Sequence, residues 1–262
     1  MKTAAFIGTG NMGSALARAA AKSSLSCRIL LANRSPEKAR RLAAELGGLA
    51  VDNRTAAAEA DILFLGVKPH LLAGAADGIR DVLARRQDRF LVVSMAAGWD
   101  LHSLAALLGG IPVIRIMPNI PVSVGSGVTL FAASPEVTGE EKDFFRELMA
   151  FSGVVEEIDE PLMDAATGIT GCGPAFAAMF VEALADGAVA CGLPRLQAID
   201  YAAEMLIGTA KMLLETREHP GALKDRVCSP AGSTIQGVRR LEQGAFRASV
   251  IDAVIAAYEK EF

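Results

Sequence analysis

The sequence predicts an α/β protein in which a doubly wound, mostly parallel sheet is followed by an all-helical domain. Three observations support this fold class. Short apolar strands alternate with helical segments through the first 157 residues. A glycine-rich turn directly follows the first of these strands. From about Ile158 the strand signals stop, and long Ala-rich segments with helical periodicity take over.

The strands of the first part are predicted from short apolar runs. They are predicted at residues 3–8, 28–33, 61–67, 89–98, 113–119 and 127–133. Helices are predicted at residues 11–23 and 35–47. The second helix is well bounded, since Ser35 suits the N-cap, Pro36 the first turn and Gly47 the end.

The second part contains three long helical segments, which are residues 173–192, 194–216 and 244–262. We therefore predict two domains, residues 1–157 and residues 158–262. The helices of the second domain carry more apolar surface than one small bundle can bury. This excess predicts an obligate homodimer with an interface built from residues 173–216 and 244–260, and leaves assembly above the dimer open.

Composition restricts the function classes. The 262 residues are 52% hydrophobic and carry a formal net charge of −4, which does not favour a nucleic-acid partner. No window of 18 uncharged apolar residues is present, so no membrane association is expected. The four cysteines (27, 172, 191 and 228) lack metal-site spacing, which predicts no metal and is typical of a reducing cytoplasm.

The first motif is GTGNMG, in which Gly8, Gly10 and Gly13 follow a strand and open a helix. Its alternative interpretation is a plain Gly-rich turn. In the first βαβ unit, however, Gly8 can form the tight turn, Gly10 can let a pyrophosphate approach, and Gly13 can let the helix pack closely. The helix N-terminus then offers N–H groups to phosphate. This context predicts a Rossmann-type dinucleotide site.

The residues after the second strand indicate which dinucleotide is bound. An NAD-binding protein usually places Asp or Glu there, whereas this chain has Asn33, Arg34 and Ser35. A guanidinium, an amide and a hydroxyl suit a 2′-phosphate. The alternative is that Arg34 is a solvated surface charge. The pattern favours NADPH and leaves NADH possible.

The next two strands end in GVKPH (66–70) and SMAAG (94–98), at the sheet edge where the cofactor is expected. Lys68 is either a catalytic acid or a charge near phosphate, and we favour the second role. Small residues after the later strands leave room for a nicotinamide ring. Asn119 could bind a ribose, the nicotinamide amide or a loop.

The stretch CSPAGSTIQG (228–237) precedes a helix that is predicted to begin near Ser233 or Thr234. It has no charged side chain, and it presents successive N–H groups at a helix N-terminus. Such a stretch is typical of an anion-binding nest, and the alternative is a simple helix cap.

At this stretch the chain resembles the pyrroline-5-carboxylate reductases, whose pattern there is commonly V-T/S-S-P-G-G-T/A-T. FIGTGNMG, FLGVKP, SMAAG, RIMPNIP and GITGCGPAF extend the resemblance from residue 3 to about 255. The chain departs from the pattern at Ala231, where Gly is usual, and at Cys172 and Cys228, where Ser or Thr is common. Each departure replaces one small residue with another.

The resemblance implies NAD(P)H-dependent reduction of Δ1-pyrroline-5-carboxylate to L-proline, the last step of proline biosynthesis. It implies a Rossmann domain, a helical dimerisation domain and a substrate site completed across the dimer. Implied cofactor contacts are Gly8, Thr9, Gly10, Asn11, Met12, Gly13, Asn33, Arg34, Ser35, Asn53, Gly66, Val67, Lys68, Pro69, Ala96, Ala97 and Gly98. Implied substrate contacts are Ser229, Ala231, Gly232, Ser233 and Thr234.

The chemistry explains the uncharged nest. The imine nitrogen of the substrate protonates easily, so the site mainly has to orient the ring. We expect N–H groups of residues 231–233 to hold the carboxylate and Thr234 to act as the catalytic hydroxyl. Two alternatives remain: a β-hydroxyacid-type dehydrogenase, which usually carries a catalytic Lys that residues 173–192 lack, and a non-catalytic NADP-sensing protein.

Overall fold

The computed structural model describes residues 1–259 of the chain. It divides into two compact units, Met1–Gly171 and a second unit from Cys172 onward. The division falls after the boundary predicted at 157/158. The reason is that a helix beyond that boundary, Met163–Thr170, packs on the sheet of the first unit.

The first unit is an eight-stranded sheet with helices. Its strands are β1 (Thr3–Ile7), β2 (Arg28–Ala32), β3 (Leu49–Ala50), β4 (Ile62–Leu65), β5 (Leu91–Ser94), β6 (Val113–Pro118), β7 (Gly127–Ala133) and β8 (Gly153–Glu157). Its helices are α1 (Asn11–Lys22), α2 (Pro36–Leu46), α3 (Asn53–Glu59), α4 (Leu72–Asp77), α5 (Arg80–Arg85), α6 (Leu101–Leu108), α7 (Gly139–Leu148) and α8 (Met163–Thr170).

The strand order is β3-β2-β1-β4-β5-β6-β7-β8. All pairs are parallel except β6 with β7. The predicted doubly wound, mostly parallel fold is confirmed. The chain reverses its winding direction between β1 and β4, so a crevice opens at the carboxyl ends of these strands, where such folds bind ligands.

Strands β1, β2, β4 and β5 are buried on both faces of the sheet because they are almost wholly apolar. On one face, Phe6 and Phe64 stack with their ring centroids 4.4 Å apart, and Phe145 of α7 packs near them. On the other face, Ile7 and Leu65 pack with α3, α4 and α6. This two-sided core holds the ends of β1 and β4 rigidly in place.

The second unit contains helices α9 (Gly173–Ala190), α10 (Arg195–Thr216), α11 (Pro220–Val227), α12 (Ser233–Gln243) and α13 (Phe246–Tyr258). Helices α9 and α10 pack along one another and bury Ala185, Ala198 and Ala202. The final helix, predicted at 244–262, is observed as α13. Residues 260–262 lie outside the described residues. They belong to that predicted helix and to the predicted second domain, and residue 260 belongs to the predicted interface.

Candidate active site

The turn between β1 and α1 depends on two glycines that leave no space for a side chain. Gly8 has a φ of +97°, and a Cβ on it would lie 2.5 Å from the carbonyl oxygen of Gly66. A Cβ on Gly13 would collide with the carbonyl oxygen of Gly8. The N–H of Gly8 donates to the carbonyl of Ala32 at 2.9 Å. The turn is therefore compressed between two neighbouring strands.

Gly10 differs from its neighbours because a Cβ on it would meet nothing within 4 Å. It occupies the N-cap of α1, no side chain caps this end, and the first turn carries no acidic residue. The first N–H to bond within the helix belongs to Ser14, which donates to the Gly10 carbonyl at 2.8 Å. The N–H groups of Asn11, Met12 and Gly13 are thus available to an anion.

Thr9 supplies a further observation in this turn. Its hydroxyl oxygen is buried and has no hydrogen-bond partner within the described residues. A buried polar atom without a partner is unfavourable, so a bound group that satisfies it would be stabilised. Together with the open approach at Gly10, this orphaned hydroxyl indicates that the turn fits a dinucleotide pyrophosphate.

A cavity of about 640 Å³ lies beside the end of β2. It is lined by residues from β2 to α5, namely Asn33, Arg34, Pro36, Ala39, Arg40, Ala50, Val51, Asp52, Asn53, Arg54 and Gly78. Three of the predicted cofactor residues, Asn33, Arg34 and Asn53, therefore line one cavity.

The predicted residues in the β2–α2 loop have different partners. The amide oxygen of Asn33 accepts from the Thr9 N–H at 3.2 Å, and its amide nitrogen donates to the Ser35 carbonyl at 3.3 Å. Asn33 therefore joins this loop to the glycine turn. Arg34 is exposed and makes no ion pair within the described residues. Ser35 is the N-cap of α2, but its hydroxyl makes no capping bond and remains free.

The single carboxylate that lines this cavity belongs to Asp52. It caps α3 by accepting from the Thr55 N–H at 2.6 Å, and this backbone hydrogen bond holds the pKa of the Asp52 carboxyl below its usual range. Asp52 is thus occupied by its own helix. Within the described residues, no other carboxylate lines the cavity to take the role that Asp or Glu usually has toward an NAD ribose.

The β4 and β5 loops are tied to each other beside the glycine turn. A Cβ on Gly66 would lie 2.6 Å from the Gly8 carbonyl oxygen, so the β4 loop backbone touches the β1 turn. The indole N–H of Trp99 donates to the Pro69 carbonyl at 3.3 Å. This bond links Gly66–Pro69 with the Ala96–Gly98 loop, where Ala96 is buried and Gly98 has a φ of +78°. Lys68 is exposed and has no ion pair within residues 1–259.

Asn119 has a structural role. The residue is 8% exposed. Its amide nitrogen donates to the Thr170 carbonyl at 2.8 Å, and its amide oxygen accepts from the Val128 N–H at 2.8 Å. Both partners are backbone groups, one at the end of α8 and one in β7, so the contact observed is with the protein chain, as in the third predicted alternative. The amide thereby holds the end of α8 to the sheet.

The loop before α12 is a tight turn. The N–H of Gly232 donates to the Ser229 carbonyl at 3.0 Å, Pro230 is the second residue, and Ala231 has a φ of +62°. These features are typical of a type II turn. A Cβ on Gly232 would collide with the Ser229 hydroxyl, so Gly232 packs directly on this side chain.

This turn alters which N–H groups can take part in the predicted anion nest. The N–H of Gly232 is already used within the turn, so residues 231–233 cannot all point their N–H groups at a ligand. Helix α12 begins at Ser233 without a side-chain cap. In the first turn of α12 the N–H groups of Ser233, Thr234 and Ile235 have no acceptor within the helix, so the nest open to a ligand extends into that turn. Thr234 is exposed beside it.

Two arginines that line this cavity were missed by sequence reasoning. Arg40 lies on α2, one helical turn beyond Pro36, and Arg54 lies at the start of α3. The helical spacing of Pro36, Ala39 and Arg40 was visible in the sequence. It signalled that these residues share one face of α2, but not that this face borders the cavity.

The comparisons with known proteins agree with this geometry. Residues 160–261 match a family described as pyrroline-5-carboxylate reductase dimerisation, and residues 3–98 match one described as NADP oxidoreductase coenzyme F420-dependent. The pyrroline-5-carboxylate reductase of Escherichia coli is 42% identical over 99% of this chain and 97% of its own length.

The chain belongs to the pyrroline-5-carboxylate reductase family. Two solved structures support this membership. The Coxiella burnetii pyrroline-5-carboxylate reductase has a TM-score of 0.88 and 31% identity, covering 97% of this chain and 95% of that one. The Plasmodium falciparum enzyme with NADP bound has a TM-score of 0.87 and 28% identity, covering 98% and 96%. The reductase is thus an oxidoreductase with a pyridine-nucleotide-binding fold, and the full-length match favours it over a β-hydroxyacid-type dehydrogenase.

The apolar surface of the second unit of the reductase coincides with the dimerisation match. Large side chains such as Met179, Leu196 and Leu214 are more than 60% exposed. The helical run Glu160–Ala190 is also long and apolar enough to cross a membrane by length and composition alone, although no 18-residue window in it is wholly uncharged. This run lies wholly within the dimerisation match, which agrees with an apolar surface used for association.

Proposed function

We infer that the reductase catalyses the reduction of Δ1-pyrroline-5-carboxylate to L-proline, and that it takes the hydride from NADPH rather than NADH. Two observations support the reaction. The chain is similar over its full length to pyrroline-5-carboxylate reductases, and the start of α12 offers an uncharged nest of N–H groups. The cofactor preference rests on the cavity at the end of β2. Among the described residues that line this cavity, the one carboxylate is Asp52, and it caps helix α3.

The nucleotide unit acts by holding the dinucleotide. When bound, the reduced nicotinamide supplies a hydride to the imine carbon. The N–H groups at the start of α1 and the Thr9 hydroxyl would hold the pyrophosphate, and Gly66–Pro69 with Ala96–Gly98 would line the nicotinamide half. We assign Arg34, Ser35 and Asn53 to the adenosine end. Lys68 is assigned to binding, because it is exposed at the loop and no other charged group positions it as an acid.

The nest at α12 acts by holding the substrate. A carboxylate bound to the N–H groups of Ser233, Thr234 and Ile235 receives hydrogen bonds and the positive end of the helix dipole. The Thr234 hydroxyl can then donate toward the ring nitrogen, which gains one proton as the imine carbon gains the hydride. Since the protonated imine is already electrophilic, orientation contributes more to the rate than proton donation.

The same proposal covers assembly and location. The dimerisation match and the exposed apolar helices support a homodimer built from α9, α10 and α13, and higher assembly of that dimer is compatible with them. A biosynthetic role and scattered free cysteines are typical of the cytoplasm. We assign the reductase no nucleic-acid, metal or membrane partner.

An absorbance assay tests the reaction and the cofactor together. Purified protein with the imine should consume NADPH, with a higher kcat/KM for NADPH than for NADH. The matched control substrate is 1-pyrroline, which has the imine but no carboxylate and should be reduced poorly because it cannot use the nest. Oxidation of β-hydroxy acids without reduction of the imine would instead favour the dehydrogenase alternative.

A further inference from the structure

One face of α2 borders the β2-end cavity. Pro36, Ala39 and Arg40 all line it, and their spacing of three and four residues places them on the same side of the helix. The adjacent Arg41 is exposed and does not line the cavity. Arg40 is thus the one arginine of α2 that reaches the space beside Arg34.

The cavity is strongly biased toward positive charge. Three arginines and one carboxylate line it, and the carboxylate of Asp52 is occupied as a helix cap. Arg54 is also occupied: its two terminal nitrogens donate to Asp81 at 2.7 and 2.8 Å, and one of them also donates to the Gly78 carbonyl at 3.2 Å. These bonds lower the pKa of Asp81 to about 2. The Arg54 side chain is therefore held in place by these bonds, which link α3 to α5.

Arg34 and Arg40 are the cavity arginines that are left available. Arg34 makes no ion pair in the described part of the chain. Arg40 has a single ion-pair partner there, Glu37, at 3.7 Å, and both side chains are at least 70% exposed. An exposed pair at that distance contributes little, so a ligand can recruit Arg40 at small cost.

We propose that Arg40 is a second specificity-determining residue, which binds the 2′-phosphate of NADPH together with Arg34. The proposal rests on the NADPH preference inferred above. A ribose phosphate carries between one and two negative charges near neutral pH, so a single guanidinium leaves part of that charge uncompensated. Two guanidinium groups that line the same cavity can compensate it, whereas the adenosine ribose of NADH offers them no charged group.

Calorimetric titration tests this without catalysis. The probes are adenosine 2′,5′-bisphosphate, which carries the 2′-phosphate, and adenosine 5′-monophosphate, which lacks it. Arg40→Ala should weaken binding of the bisphosphate by roughly tenfold, which is the scale of one charge-assisted hydrogen bond. The affinity for the monophosphate should change less than twofold. The matched control, Arg41→Ala, removes the same charge from the same helix and should leave both affinities unchanged.

The remaining outcomes separate this inference from the proposed function. Equal weakening of both probes in Arg40→Ala would place Arg40 against the adenine ring and overturn the inference. If Arg34→Ala loses the bisphosphate while Arg40→Ala does not, the inference fails and the NADPH preference stands. If neither variant discriminates and the wild type binds both probes equally, the inference and the NADPH preference both fail.

Discussion

The carbonyl of Ser229 accepts a hydrogen bond from the N–H of Gly232 at 3.0 Å, which closes a turn whose third residue, Ala231, has a φ of +62°. A side chain at positive φ is strained, and glycine adopts this conformation without that cost. The turn thus determines which N–H groups reach a ligand, and it stores strain directly before the helix that presents them.

Replacing Ala231 with Gly should relieve this strain. We expect Ala231→Gly to raise the free energy of unfolding by up to about 1 kcal/mol, because the relief of strain exceeds the added entropy of the unfolded chain. Ala231→Val should do the opposite and should also raise the KM for the substrate, since a branched side chain at positive φ distorts the turn. Thermal unfolding and steady-state kinetics measure both effects. A destabilised Gly variant would contradict the strain argument.

The catalytic role of Thr234 predicts a defined loss. Thr234→Val keeps the shape of the side chain and removes its donor, and kcat should fall by about 10- to 100-fold, or roughly 1.4–2.7 kcal/mol. NADPH affinity should not change. Thr234→Ser retains the hydroxyl and serves as the control that should keep most of the rate. Wild-type kcat in Thr234→Val across the pH range would leave the stretch as an anion nest and helix cap.

Arg34→Ala should separate the two cofactors. Loss of a charge-assisted contact predicts that NADPH binding weakens by roughly 1.5–3 kcal/mol while NADH binding is nearly unchanged. Fluorescence titration of each reduced cofactor measures the difference. Equal losses for both cofactors would show that Arg34 does not bind the 2′-phosphate.

Lys68→Met tests whether the exposed lysine of the β4 loop binds or catalyses. Because Lys68 is exposed and makes no ion pair within residues 1–259, the substitution should raise the KM for the cofactor more than it lowers kcat. Lys68→Arg keeps the charge and should restore most of the affinity. A fall of kcat by orders of magnitude with unchanged cofactor affinity would make Lys68 catalytic.

The dimer proposal predicts that a charge on the apolar face of α9 disrupts assembly. Met179 is 68% exposed within one subunit, so Met179→Glu should yield an inactive monomer in sedimentation velocity. Val154→Glu is the control, because Val154 is also exposed but lies on the edge strand β8 of the first unit. A stable, active wild-type monomer at low concentration would contradict an obligate dimer.

Buried strands could be predicted from the sequence and exposed strands could not. The predicted strands that became β1, β2, β4, β5, β6 and β7 are apolar runs, and burial makes such runs visible in a sequence. Strands β3 and β8 were missed, because their residues are mostly exposed and carry no such signal. The compact units divide at 171/172, beyond the predicted boundary, because α8 follows the last strand yet packs on the sheet.

Site residues could be predicted where the backbone leaves no space for a side chain and therefore requires glycine. The glycine positions after β1 and β4 fall in this class. The available N–H groups at α12 could not be derived, because the bond from Gly232 to Ser229 depends on turn geometry. Asn119 was ambiguous for a related reason: an amide before a loop has many possible partners, and tertiary packing with Thr170 selected one.

The glycine turn has a consequence for how the gene tolerates mutation. Gly8, Gly13 and Gly66 press against one another's backbone, so any substitution there should reduce the amount of folded protein in the cell. Gly10 has open space around it, so its substitutions should leave abundance intact and remove nucleotide binding alone. Within GTGNMG, substitutions at Gly8 and Gly13 should therefore act through folding, and substitutions at Gly10 through nucleotide binding.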